Sequence, residues 1–464
     1  MKKILLLTIP FIFNCVSLNA QGISGDWNGL LEISGVKLRL VFHLLQEEGK
    51  WTASMDSPDQ GAFDIPATEA AFDPPLLRIK IAALLLEYSG TLSDNGEEVR
   101  GTFIQGGASF PLKLQRAAIE APEPPGRPQE PIPPFPYYTE EVVFQNTDAG
   151  ISLAGTLSLP QKTGKYPVAV LVSGSGPQDR DEEIMGHKPF LVLSDFLTRN
   201  GFAVLRFDDR GVGASAGDFQ SATSEDFASD VLAAIAFLKT RPEVLPGKIG
   251  IIGHSEGGLI APMVAVMVPD DVAFIVSLAG PGVDGEQILY RQQELLGRAS
   301  GATAADLKTS RVFNEKAYQL IKANVGQDSA ESVLYRDFTA LMPAALPKDQ
   351  LDLAFSSVMT TLYSPWFRFF IGFDPATVWC RVKCPVLALN GGKDLQVDPS
   401  QNLPAIGAAL KKARNKKVTV KVFPELNHLF QHAGTGAVGE YESIEETFAP
   451  AVMEVIAEWL RKRK

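Results

Sequence analysis

The stretch GIIGHSEGGLIAPM, residues 250–263, decides how the rest of the chain is read. An apolar run stops at Gly253, then His254, Ser255 and Glu256 lead to two glycines and a second apolar run. The first run reads as a buried strand and the second as a helix. Gly253, Ser255 and Gly257 fit the pattern G-x-S-x-G. In that setting the glycines have a mechanical task. A sharp strand-to-helix turn brings backbone segments too close for a β-carbon on either side, and the serine is forced into strained dihedrals with its hydroxyl at the tip. The backbone N–H of Glu256 then stands at a helix N-terminus, where developing negative charge is favoured. The competing reading is a glycine-rich turn with an incidental serine. The pentapeptide alone leaves both open.

The surrounding pattern favours the first reading. From about residue 139, apolar runs such as YPVAVLVSGSG, FAVLRFDDRGVGAS, KIGIIGHS, VAFIVSLAGP, CPVLALNGGKD and KVTVKVFPELNH alternate with helical stretches. That alternation predicts βαβ units and a mostly parallel sheet. In TSEDFASDVLAAIAFLKTR, Thr223 and Asp226 fit a capping box, and Phe227, Val231, Ile235 and Leu238 share one helical face. Each strand ends in Gly, Ser, Asp or His, at the edge where open parallel sheets bind ligands.

A nucleophilic serine needs a base, and the chain has five histidines. His43 lies in the N-terminal part, His187 precedes the serine in a loop, and His254 belongs to the turn itself. His428 follows the strand KVTVKVF through a short loop, and His432 lies one turn further on as a surface residue. The base is therefore expected at His428. The histidine needs a carboxylate to fix its tautomer. Asp394 comes straight after the strand VLALNGG, whereas Asp398 precedes Pro399 and reads as the cap of the next helix. Ser255, Asp394 and His428 then stand in the order Ser…Asp…His.

From residue 139 to the end, the chain resembles the α/β-hydrolase superfamily. It is similar to secreted or periplasmic bacterial serine carboxylesterases near the prolyl-oligopeptidase, dienelactone-hydrolase and serine-aminopeptidase branches. GHSEGG, SGSGPQDRDE, FDDRGVGAS, GGKDLQVDP and NHLF carry the likeness. It implies an α/β fold with a helical cap inserted over the sheet. It also implies an oxyanion hole formed by the backbone N–H groups of Ser175 and Glu256. The chain has Ser173-Gly174 where such proteins more often have His-Gly, a departure that leaves backbone donation untouched. Asp179, Arg180 and Asp181 are expected to brace this loop by ion pairing. No cofactor and no metal is implied.

The flanking segments complete the outline. Lys2 and Lys3, the apolar run Ile4–Phe13 and the small residues leading to Ala20 have the order of a secretory signal peptide over residues 1–20. Export to the periplasm or medium is expected, and a lipid anchor through Cys15 is the rival reading. Removal of the two lysines takes the net charge from −11 to −13, which argues against nucleic acid as a partner. No later run is long and apolar enough to span a bilayer. Residues 21–117 hold short runs such as KLRLVFHLL and LLRIKIA and read as a small antiparallel β-domain. Residues 118–138 form a Pro-rich linker, and 139–464 the catalytic domain, with the cap over about 283–378. In the cap, SPWFRFFIGFDP supplies aromatic rings that hold it to the sheet or line an apolar acyl pocket. Cys380 and Cys384 can be bridged only if the chain between them coils, since in a strand their Cα atoms lie about 13 Å apart.

The expected activity is cleavage of carboxylic esters through an acyl-enzyme on Ser255, with a small ester or a short peptide as substrate and an oligomer left open. A peptidase with the same residues is the alternative, with Glu256 or Arg368 to hold a peptide terminus. A binding protein that works through its β-domain is the remote alternative.

Overall fold

A computed structural model describes residues 23–33, 36–47, 49–60, 62–84, 86–105, 108–119, 126–342 and 348–463. The expected signal peptide, with Cys15, lies outside these residues, as do parts of the linker and of the cap. The chain divides into two compact units, one over 1–122 and 343–350, the other over 123–342 and 351–464.

The first unit is built from β1 (Gly25–Ile33), β2 (Val36–Glu47), β3 (Lys50–Ser57), β4 (Ala62–Pro66), β5 (Glu69–Asp73), β6 (Leu76–Ile81), β7 (Leu86–Leu92), β8 (Glu98–Gln105) and β9 (Ala108–Gln115). They form one sheet in the order β4-β3-β2-β1-β9-β8-β7-β6-β5. Its logic is the period-2 alternation of strands. In β6, Leu77, Ile79 and Ile81 point inward while Arg78 and Lys80 point out. The inward faces meet around Trp27, Phe42, Tyr88 and Phe103, each burial contributing roughly 1.5–3 kcal/mol.

The second unit carries the strands legible around the opening motif. In chain order it runs β10 (Tyr138–Asn146), β11 (Ile151–Leu159), β12 (Tyr166–Val172), α1 (Pro189–Arg199), β13 (Ala203–Phe207), α2 (Ser224–Lys239), β14 (Val244–His254), α3 (Gly257–Met267) and β15 (Ile275–Leu278). Then come α4 (Gly285–Ala299), α5 (Ala304–Lys322), α6 (Gln327–Thr339), α7 (Lys348–Leu362), α8 (Pro365–Gly372), α9 (Ala376–Trp379), β16 (Val386–Gly391), α10 (Pro399–Lys412), β17 (Val418–Phe423) and α11 (Pro450–Arg461). The sheet order is β10-β11-β13-β12-β14-β15-β16-β17. From β13 to β17 neighbours pair in parallel, and β11 is antiparallel to both its neighbours.

Parallel strands are buried on both faces, and the alternation shows it. Val168, Val170 and Val172 of β12 join a core shared with α2, α3 and α10, while Ala169 and Leu171 join one shared with α1 and α11. Phe227, Val231, Ile235 and Leu238 form the buried stripe of α2. At its start, the backbone N–H and the Oγ1 of Thr223 both donate to Asp226 Oδ2 at 2.9 Å. This is an α/β-hydrolase sheet preceded by an antiparallel β-unit, with helices inserted between β15 and β16.

The β14–α3 turn explains its glycines. Ser255 has φ +49°, a left-handed conformation that costs a side-chain-bearing residue roughly 1–3 kcal/mol. A Cβ on Gly253 would lie 2.0 Å from Gly257 O, and one on Gly257 2.1 Å from Val172 O of β12. The Ser255 N–H is tied to Leu278 O of β15 at 2.8 Å.

The proline-dense segment is held down where it meets the second unit. Arg127 donates to the carbonyls of Gly186, Met185, Glu442 and Ile444 at 2.6–3.2 Å. Gln129 donates to Phe448 O and accepts from the N–H groups of Thr447 and Phe448. Phe135 stacks on Tyr137 at 5.3 Å. A protein starting at Glu123 is therefore expected to be soluble and cooperatively folded. One starting at Pro136 should lose about 2–4 kcal/mol in urea unfolding, because Arg127 and Gln129 leave with it. Equal midpoints for the two truncations would contradict this. A second expectation separates the glycines. Gly253→Ala should cost at least about 3 kcal/mol or prevent folding. Gly407→Ala, where a Cβ meets open space on α10, should gain about 0.5–1 kcal/mol.

Candidate active site

Asp394 sits three residues beyond β16 and is 2% exposed. Its Oδ1 accepts from the N–H groups of Gln396 (2.8 Å) and Val397 (2.9 Å). Its Oδ2 accepts from Asn390 Nδ2 at 2.9 Å and lies 2.8 Å from His428 Nδ1. A carboxylate beside Nδ1 places the imidazole hydrogen there and leaves Nε2 as the acceptor. His428 stands on the loop after β17, itself shaped by Asn427, whose Oδ1 accepts from the N–H groups of Leu429 and Gln431. Ser255 stands half-buried at the elbow after β14. The structure thus joins Asp394 to His428 directly. Among the described residues no hydrogen bond joins the Ser255 hydroxyl to His428, and none engages it elsewhere. Such contacts are commonly long without substrate and tighten on binding.

The two expected oxyanion donors lie on the loop after β12 and at the start of α3. Among the described residues, the backbone N–H groups of Ser175 and Glu256 donate to no protein acceptor, whereas that of Gly174 is taken by Glu182 Oε1 at 2.7 Å. Ser173 Oγ donates to Asp209 Oδ1 at 2.8 Å. Burial pushes the Asp209 carboxyl up to about 8, against the hydrogen bonds from Ser173 and Gln178. Arg180 grips Asp208 with Nε (2.9 Å) and Nη2 (2.8 Å) and also pairs with Glu141. Asp181 pairs with Arg206, and Asp179 Oδ1 accepts from the N–H groups of Asp181 and Glu183. These side chains spend their charges on the loop.

Glu256 is 4% exposed. Its Oε1 accepts from Ser224 Oγ at 2.5 Å and from Trp366 Nε1 at 2.8 Å, and burial pushes its carboxyl up. Arg368 is tied to Asn324 Oδ1 at 3.3 Å. The carboxylate named from sequence as a holder of a peptide terminus is thus already engaged, by the first turn of α2 and by the cap helix α8. Trp366 stacks on Phe370, and Trp366, Phe369 and Phe373 pack against the core under the sheet. The rings of α8 hold the cap to the sheet. Helix α7 was not expected from sequence.

The remaining candidates fall into place. His187 is buried between Thr447 Oγ1 and Tyr441 O, and burial pushes its imidazole below the usual range. His432 is exposed and pairs with Glu446. His43 lies between Asp26 and Asp56 in the β-unit. Asp398 caps α10 through the Ser400 N–H (2.8 Å), and its second oxygen holds Arg291 Nε of α4 at 2.6 Å, a tether that sequence did not suggest. Cys380 and Cys384 are free, and burial pushes the Cys384 thiol up to about 12. Sequence also passed over His254. It is 6% exposed, with Nδ1 2.9 Å from Glu182 Oε1 and Nε2 3.0 Å from His428 O. Among the described residues no group of His, Cys, Asp and Glu could hold a metal ion.

Known proteins resemble this chain over parts of its length. Esterase EstD of Thermotoga maritima is 26% identical over 332 residues, covering 71% of this chain and 70% of the relative. Human palmitoyl-protein thioesterase ABHD10 is 32% identical over 123 residues, 26% of this chain and 36% of that protein. Among solved structures, an esterase of Pyrococcus furiosus aligns with a TM-score of 0.43 and 16% identity, covering 70% of this chain and 91% of its own. A model of the X-Pro dipeptidyl-peptidase (S15) family matches residues 149–421, more than half of the sequence. The match spans the sheet from β11 to β17 with the elbow inside it, and the chain belongs to the X-Pro dipeptidyl-peptidase (S15) family of α/β-hydrolases.

Proposed function

We propose that the protein is an exported serine carboxylesterase in which Ser255 is the nucleophile, His428 the general base and acid, and Asp394 the residue that orients His428. The observation that carries the reading is the buried 2.8 Å contact between Asp394 and His428 Nδ1, at the sheet edge where Ser255 is held at φ +49°. In the proposed reaction, His428 Nε2 takes the Ser255 proton as Oγ attacks the ester carbonyl. The backbone N–H groups of Ser175 and Glu256 receive the oxyanion. Collapse expels the alcohol, which takes the proton back from His428. Water, activated by the same imidazole, then releases the acid and restores Ser255.

Ester cleavage is favoured over peptide cleavage because Glu256, a candidate holder of a substrate amine, is already satisfied by Ser224 and Trp366. The likeness to Esterase EstD also supports an ester substrate. The family match favours a second reading, removal of residues from a peptide N-terminus by the same three side chains. The export segment proposed over residues 1–20 rests on its charge and apolar order alone.

Ser255→Ala and His428→Ala are each expected to lower ester turnover by about 10⁴–10⁶-fold with the fold intact. A tenth of the activity left in either would remove that residue from the reaction. Asp394→Asn should cost about 10⁴-fold, because an amide no longer selects the tautomer. Asp398→Asn should instead cost about 1–2 kcal/mol of stability with turnover kept. A side-by-side panel of p-nitrophenyl esters and aminoacyl anilides separates the two activities. Anilides cleaved as efficiently as esters would establish the peptidase.

A further inference from the structure

The groups proposed to react sit on three loops far apart in sequence; one buried carboxylate reaches two of them, and the histidine it holds reaches the third. Glu182, 3% exposed, accepts from the Gly174 N–H on the oxyanion loop (2.7 Å) and from His254 Nδ1 on the elbow (2.9 Å) with the same Oε1. His254 then reaches on, with Nε2 3.0 Å from the backbone carbonyl of His428. The His254 and His428 rings lie 4.8 Å apart. Both partners of the His254 ring are acceptors: a carboxylate on one side and a carbonyl on the other. Both contacts are hydrogen bonds only if both ring nitrogens carry hydrogen, which makes the ring an imidazolium. Glu182 supplies the opposite charge. It also holds a left-handed backbone, φ +52°, which a side-chain-bearing residue adopts at a cost.

We propose that Glu182 and protonated His254 are a positioning pair that fixes the oxyanion loop, the nucleophile elbow and the His428 backbone relative to one another. The inference rests on the roles given above to Ser255 and His428. Glu182 pins the amide of Gly174, one residue before Ser175. His254 adjoins Ser255 in the chain and pins the carbonyl of the residue whose ring serves as base. Neither side chain takes part in bond making. Their effect is on turnover through geometry, where a misplacement of about 1 Å costs on the order of 100-fold.

The pair gives the site an alkaline limit. Burial opposes the charge on His254, but the Glu182 carboxylate, the His428 carbonyl and the Asp394 charge outweigh it and raise the imidazole above its usual range. The groups facing the ring are Glu182 from the loop after β12, His428 from the loop after β17 and Asp394 from the loop after β16. A raised imidazole keeps its proton, and the arrangement, below its folded pKa and loses both as pH rises through it.

Two measurements test this. In ¹⁵N-histidine NMR of the wild-type protein, with His254 identified by the signals that His254→Asn removes, the ring should show both nitrogens protonated well above about pH 6.5, the ordinary titration point of histidine. A ring neutral there overturns the proposal. Glu182→Gln removes the charge and keeps the size. Its turnover should fall about 10–100-fold with KM little changed, and the alkaline limb of its pH profile should move down by about 1–3 units. Wild-type turnover and an unmoved limb in Glu182→Gln, with Ser255→Ala inactive, overturn the pair alone. An active Ser255→Ala overturns the reaction itself. If Glu182→Gln does not fold, the NMR result on the wild-type protein decides.

Discussion

Everything at the site depends on one strained residue. A serine at φ +49° between a strand and a helix is not a conformation the local sequence prefers, so the surroundings must enforce it. They do so by removing space. The missing β-carbons at Gly253 and Gly257 let the turn close on itself and against the end of β12, and the Ser255 N–H is spent on β15. The elbow is therefore a property of three adjacent parallel strands, and β12, β14 and β15 are each followed at the same edge by small residues, Ser173-Gly174, Ser255 and Ala279-Gly280. The sheet order follows from the same need, since β14 must sit centrally with a neighbour on each side to hold the turn.

Burial then sorts the carboxylates. Asp394 and Glu256 are buried beside the sheet edge and Asp209 is half-buried there, but they meet different company. Asp394 receives two backbone N–H groups, an asparagine amide and a histidine. Asp209 and Glu256 receive fewer donors, and burial pushes both up. Their proximity adds to this, because Glu256 and Glu182 raise Asp209 further. The two carboxylates that face an imidazole are Asp394 and Glu182.

The sequence disclosed the sheet because strand ends and strand cores obey short-range rules. Alternation, glycine punctuation and the capping pattern at Thr223 and Asp226 are local, and they placed every strand named from β12 onward. The place of Asp394 just past a strand and the role of Asp398 as a cap were legible from distance along the chain to the preceding strand and to Pro399. The contacts of Glu182 and His254 were not legible. Glu182 is one acid among several in QDRDEE, and nothing in that run marks the one that turns inward. His254 was passed over as the interchangeable position of the motif, since a pentapeptide pattern carries no information about a carbonyl 174 residues away. The rings of SPWFRFFIGF were visible as a group, but their division between packing and pocket depends on which face of α8 meets the core.

The cap is coupled to the elbow through an atom rather than through general packing. Glu256 Oε1 accepts from Ser224 at the start of α2 and from Trp366 in α8, while the backbone N–H of the same residue is a proposed oxyanion donor. Trp366 in turn stacks on Phe370, and Phe370 packs against Gly285 at the start of α4. Arg291, further along α4, is tied to Asp398. A displacement of the cap must therefore break or strain the Trp366–Glu256 bond, leaving a buried carboxyl with one partner fewer, a cost of about 1–3 kcal/mol. Small shifts of α8 are resisted by that cost, and larger ones pull on Glu256, the residue that caps α3. The helices between β15 and β16 and the turn that opens α3 are for this reason not independent parts of the fold.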